Sequence, residues 1–174
     1  VARELVNARR AARPMAEFPG PLPTTLNEAY AIQDAAIALW PDDIAGWKIG
    51  RLAPEFAATY AEERLAGSIF GKAVRRSVPQ ETIRIPVFKG GFAAVEAEYV
   101  LRIARDVPPF RRGWTPDQAQ DLVAALHVGI ELAGSPMRAI NDIGPMAIIP
   151  DFGNNAGLVL GAEVSDWSSA AREG

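Results

Sequence analysis

The sequence has no cysteine and a single histidine, His127. Without cysteine there are no disulfides and no thiolate metal sites, a usage that fits a reducing compartment. Charge of one sign does not dominate either: 18 Lys and Arg against 21 Asp and Glu leave a net charge of −3. That mildly acidic balance argues against nucleic acid or an anionic membrane as partner. Nowhere does the chain approach the roughly 18–20 uninterrupted apolar residues that span a bilayer. The opening stretch, VARELVNARRAARP, is charged throughout and lacks the apolar core of a secretory signal. The expectation is a cytoplasmic protein. Internal repeats and low-complexity segments are also absent.

What is present suits an ordinary globular chain. With 174 residues and 49% hydrophobic content, the sequence suffices for one domain with a real core and is too short for two well-packed ones. The expected division within that domain is a helical portion over 1–65 and a β-rich, metal-binding portion over 66–174. Arg9, Arg10 and Arg13 read as the solvated face of a first helix.

The run FAAVEAEYVLRIARD, residues 92–106, places Glu96 and Glu98 two apart in a strand-like apolar pattern. Side chains at i and i+2 of a strand share a face, so the two carboxylates stand side by side. Burying two like charges without a partner costs several kcal/mol or forces one to protonate, on the order of magnitudes known for buried ions. A divalent cation between them removes the conflict. A third acid lies in HVGIELAG, where His127, Gly129 and Glu131 share one face. Three carboxylates on two apolar strands make an all-oxygen set suited to Mg²⁺ or Mn²⁺ rather than zinc. An acid pair two apart also suits a solvated strand face. Glu131, inside an apolar run bracketed by glycines, weighs against that.

Periodicity predicts a helix over Ala2–Ala12 with Leu5, Val6 and Ala12 inward, and a second helix after the proline-rich FPGPLPTT. Leu26, Tyr30, Ile32, Ala36, Ile37 and Leu39 fall at helical spacing there, with Thr24 or Thr25 as N-cap and Pro41 as stop. Ile44–Gly50 reads as a strand and Pro54–Glu63 as a helix opened by proline. SIFGKAV, TIRIPVF and residues 92–106 read as strands, as do HVGIELAG, PMAIIPD and AGLVLGAEV. TPDQAQDLVAAL reads as a helix, with Thr115 as N-cap, Pro116 at the first position and Gln118 completing a capping box. The predicted class is α+β.

Taken in order, AYAIQ (29–33), GWKIG (46–50), AEYVL with its acid pair, IEL with Glu131, and NNAGLVLG (154–161) resemble the 2-keto-4-pentenoate hydratase branch of the fumarylacetoacetate hydrolase-like family. The resemblance implies an N-terminal α/β region followed by a mixed β-roll or barrel, here lacking its last strands. It implies Mg²⁺ or Mn²⁺ held by Glu96, Glu98 and Glu131, with Lys48 as catalytic residue. Asp151 falls where the family opens an Asp-Asn-x-Ser turn, which here reads Asp151-Phe152-Gly153-Asn154, and is expected to contact substrate. Phe70 and Phe92 are candidates to line an apolar pocket for a diene, and Trp47 and Ile49 are expected in the core.

Two departures qualify the activity. Leu65 stands where the family commonly carries the Asp of an Asp-x-Gly element. Family members also continue well past Gly161, so the sequence is expected to be a fragment or a shortened homologue with unpaired strand edges. The implied reaction is hydration of 2-hydroxypenta-2,4-dienoate in aromatic catabolism. Alternatives are a related 2-oxo-acid decarboxylase, an acylpyruvate-type C–C hydrolase, or an inactive structural homologue. The expected partners are a small 2-oxo or 2-hydroxy-dienoic acid, further copies of the chain, and a related pathway enzyme. His127 reads as a satisfied histidine outside the catalytic set.

Overall fold

In the computed structural model, which describes residues 1–60, 62–108 and 110–167, the two longest helices open the chain and shorter helices alternate with the strands that follow. Helix α1, Ala2–Arg10, buries Leu5, Val6, Ala8 and Arg9. It ends before Ala12, which is exposed with a left-handed φ of 48° rather than inward. Arg9 also departs from the expected solvated face: its side chain is buried against Asp151 and the Asn155 and Gly134 carbonyls. Helix α2, Leu26–Leu39, starts at Thr25, whose side chain accepts from the Glu28 N–H at 3.2 Å. The Glu28 carboxylate accepts in return from the Thr24 backbone N–H and hydroxyl, which hold its pKa below the usual value.

Strand β1, Ile44–Arg51, pairs antiparallel with β2, Arg64–Phe70, after the short helix α3, Pro54–Tyr60. Helix α2 packs on β2 through a Tyr30 hydroxyl that accepts from Ala66 N–H and a Gln33 amide that donates to Ala66 O. β1 lies beyond that cover. Trp47 and Ile49, expected in the core, are therefore 51% and 59% exposed.

A single turn of 3₁₀ helix then leads into β3, Val74–Arg76. β3 opens a second sheet of order β3-β6-β5-β4, completed by β4, Phe92–Ile103, β5, Val123–Ser135, and β6, Asn155–Glu163. β3 runs parallel to β6 and the other pairs are antiparallel, a mixed sheet in an α+β fold.

Four stretches took a different form from the one expected. SIFGKAV, residues 68–74, is split between the end of β2, the 3₁₀ turn and the start of β3. TIRIPVF forms no strand, since Pro86 cannot donate to a ladder and no neighbour among the described residues pairs with the segment. PMAIIPD turns into helix α6, Pro145–Ile148, opened by its proline after Gly144 at φ 88° and preceded by helix α5, Ile140–Ile143. Helix α4, Pro116–Gln120, ends there although its capping box forms. The following Val123–Leu126 joins β5, with Val123 opposite Ile103 and Leu126 opposite Leu101. Short apolar runs carry no period that separates helix from strand, so pairing decides them.

Among the described residues three apolar clusters form the core: Leu5 with Phe18, Met137 and Ile140; Ala29 with Leu52, Leu65, Met146 and Ile149; and Val6 with Ala36, Phe70 and Phe152. Trp40, Phe70 and Phe152 meet at centroid distances of 4.9–5.4 Å in stacked and edge-on contacts. β4, by contrast, has β5 as its ladder partner among the described residues and leaves Val95, Tyr99, Leu101 and Ile103 exposed.

Candidate metal centre

The β4–β5 register sets Glu96 directly opposite Glu131 and Glu98 opposite Gly129. Like charges facing each other across a ladder destabilise it. One carboxylate oxygen from each of Glu96, Glu98 and Glu131 lies within 4.8 Å of the others. Glu96 and Glu98 are exposed, whereas Glu131 is 3% exposed. Two accessible carboxylates and one buried one, all oxygen donors on rigid strands, fit a hard divalent cation.

Glu131 is held from both sides. Its Oε1 accepts from Asn155 Nδ2 at 2.9 Å, and its Oε2 lies 3.5 Å from Lys48 Nζ. Lys48 reaches it from β1, where it is opposite Gly67. That approach needs small residues. A Cβ on Gly67 would come within 2.7 Å of Gly153 Cα, and one on Gly153 would meet Gly67 Cα at 2.8 Å and the Lys48 stem at 3.2 Å. Lys48 also donates to Asn154 Oδ1 at 3.4 Å, and Asn154 Nδ2 donates to Asn141 Oδ1.

Burial pushes the Glu131 carboxyl above its ordinary value of 4.5; Lys48 and the Asn155 hydrogen bond pull it down, and Glu96 adds to the rise. With the folded pKa above the unfolded one, the folded chain keeps a proton that the unfolded chain has released. The stability this group contributes is present below 4.5 and is lost as pH rises through the raised value. The same proton competes with a cation. Mn²⁺ affinity measured by calorimetry at descending pH is therefore expected to start falling at a higher pH than free carboxylates would dictate. A profile flat down to the ordinary carboxylate range would refute this.

Other predicted residues lie elsewhere. Asp151 is fully buried, and both its carboxylate oxygens accept from Arg9, at 2.5 and 3.0 Å. It thus serves an internal ion pair and does not stand on the open side of the acid cluster. Phe70 borders a cavity of about 310 Å³ with Trp40, Arg75 and Phe152, and none of the three acids lines that cavity. Phe92 packs against the Leu5 cluster. Leu65 is core, beside Leu52 and Ile149. The His127 ring is buried, with Nδ1 3.2 Å from the Gly161 carbonyl, which can only accept. From sequence no role is expected for Asn155 or Asn154, and Arg9 is expected on a solvated helix face. The polar run Asn154-Asn155 directly before a buried strand was the signal for the first two.

This arrangement of sheets and helices is the fumarylacetoacetate hydrolase-like fold. Two solved structures of 4-oxalocrotonate decarboxylase from Pseudomonas putida G7 share it at a TM-score of 0.67, one complexed with magnesium and adipate and the other with calcium and acetate. They are 15% and 16% identical to this chain and match 92% of it, whereas the chain spans 60% of their length. No family model and no curated protein matches the sequence. No helix among the described residues is long and apolar enough to cross a membrane.

Proposed function

We propose that this chain carries the site of a magnesium-dependent lyase acting on small 2-oxo or 2-hydroxy-dienoic acids. The observation that carries the reading is the convergence of Glu96, Glu98 and Glu131 beside Lys48. A divalent cation bound there supplies Lewis-acid polarisation of the substrate's C2 oxygen. Lys48 places a cation next to the same space, able to pair with the substrate carboxylate or to pass a proton at Nζ. Asn154 and Glu131 keep that ammonium from swinging away, and Asn155 keeps the Glu131 carboxylate turned toward its neighbours.

Hydration of 2-hydroxypenta-2,4-dienoate is the reaction that the motif order favours. Decarboxylation is a second reading, supported by the identity of the two solved structures and by Leu65 in place of the hydratase-type Asp. The test is turnover of 2-hydroxypenta-2,4-dienoate, 2-oxo-3-hexenedioate and acetylpyruvate with and without Mg²⁺. Mg²⁺-dependent loss of one substrate is expected, with kcat lowered about 10²–10⁴-fold in Lys48→Met, the range for a lost proton-transfer group. A folded, cation-loaded chain that turns over none of the three would sink the proposal.

A further inference from the structure

We propose that Arg9, a helix residue that lies outside the acid cluster, is the positioning residue of this site: it fixes the 151–155 turn so that Asn155 meets Glu131 and Asn154 meets Lys48. The inference rests on reading the three acids as a cation site, and its first readout needs no cation.

The turn is an improbable one to hold unaided. Phe152, Gly153 and Asn154 follow one another at φ 59°, 64° and 54°. Left-handed backbone is costly for residues with a Cβ, and it persists where the surroundings over-determine it. Arg9 grips both ends of this segment. Its Nη2 donates to Asp151 O at 2.8 Å and its Nη1 to Asn155 O at 2.8 Å, while Nε and Nη2 fork onto the Asp151 carboxylate. The guanidinium also lies 5.3 Å from the Phe152 ring centroid, against the middle of the turn.

A further bond ties the turn to β5. Arg9 Nη2 donates to Gly134 O at 2.9 Å, three residues along the strand from Glu131. The β5–β6 register slips between Leu132 and Ala133, just where Asn155 enters the ladder. One guanidinium thus sets the spacing of the two strands at the point where Asn155 must reach back to Glu131. Lysine would keep the charge but has no planar fork to serve four acceptor groups at once.

The experiment compares wild type with Arg9→Lys, Asn155→Ala and the double variant, each first shown to be folded. The metal-free readout is the Asn155 side-chain amide in ¹⁵N NMR spectra, assigned by its loss in Asn155→Ala. It is expected to shift in Arg9→Lys while the amides of the outer part of β4 stay in place. The second readout is Mn²⁺ affinity by calorimetry. Asn155→Ala is expected to lose about 10–100-fold, the usual worth of a group orienting a metal ligand, with Arg9→Lys at the lower end. The double variant should lose no more than Asn155→Ala, because both substitutions break one chain of contacts.

An unmoved Asn155 amide in folded Arg9→Lys overturns the proposal, and so do losses that simply multiply. A wild type that binds no Mn²⁺ defeats the cation reading, while the amide shift still decides the role of Arg9. Should Arg9→Lys not fold, Asp151→Asn weakens the same grip and is expected to shift the amide in the same way. A folded Asp151→Asn with the amide in place would overturn the proposal too.

Discussion

Glu98→Ala is expected to lower Mg²⁺ or Mn²⁺ affinity roughly 100-fold or more, since groups that merely orient a metal ligand are already worth about 10–100-fold. The expectation follows from where Glu98 sits. Its side chain is exposed on β4 opposite Gly129, so it supports little packing. Surface substitutions of that kind change stability by less than about 0.5 kcal/mol. The metal-free variant should unfold at the same temperature as wild type or slightly higher, because one of three mutually repelling carboxylates is gone. Calorimetric titration of both proteins, with melting curves taken without metal, separates a lost ligand from a lost fold. Equal affinities would remove Glu98 from the site and with it the three-carboxylate reading.

The largest effect on stability is expected from Arg9→Met. Arg9 and Asp151 have side chains 4% and 0% exposed and lie 2.5 Å apart. Breaking a buried ion pair from one side leaves an uncompensated charge, typically at a cost of about 3–5 kcal/mol. For a domain of this size that lowers the melting temperature by roughly 10 °C. Methionine also withdraws the donors that serve Asp151 O, Gly134 O and Asn155 O. Buried acceptors left unmade cost about 1–3 kcal/mol each. Removing the stranded acid as well, in Arg9→Met/Asp151→Leu, should therefore recover part of the loss but not all of it. Full recovery would mean that the backbone contacts carry nothing, and an undamaged single variant would mean that the pair is not buried in solution.

Much of the local structure was legible without coordinates. Thr115 caps the helix it was expected to cap, and of the two candidates Thr24 and Thr25 it is Thr25 that caps α2, because an N-cap is a matter of three or four adjacent residues. The shared face of Glu96 and Glu98 follows from the two-residue period of a strand. Where a stretch lacked such short-range signals the reading missed. PMAIIPD became helix, TIRIPVF paired with no described strand, and Val123–Leu126 left the predicted helix for β5. Each is a short apolar run whose state depends on a partner distant in sequence.

The candidate site divides along the same line. The sequence alone determined which acids share a strand face, that their donors are all oxygen, and that Lys48 stands between Trp47 and Ile49 in a glycine-flanked strand. Only the tertiary structure decided that Glu131 lies opposite Glu96, that Arg9 turns inward to Asp151, and that Asn155 reaches Glu131. Register between strands and the burial of a charge are set by contacts across 24 to 142 residues of chain. Local periodicity repeats every two to four residues, so it carries no trace of pairings that span such separations.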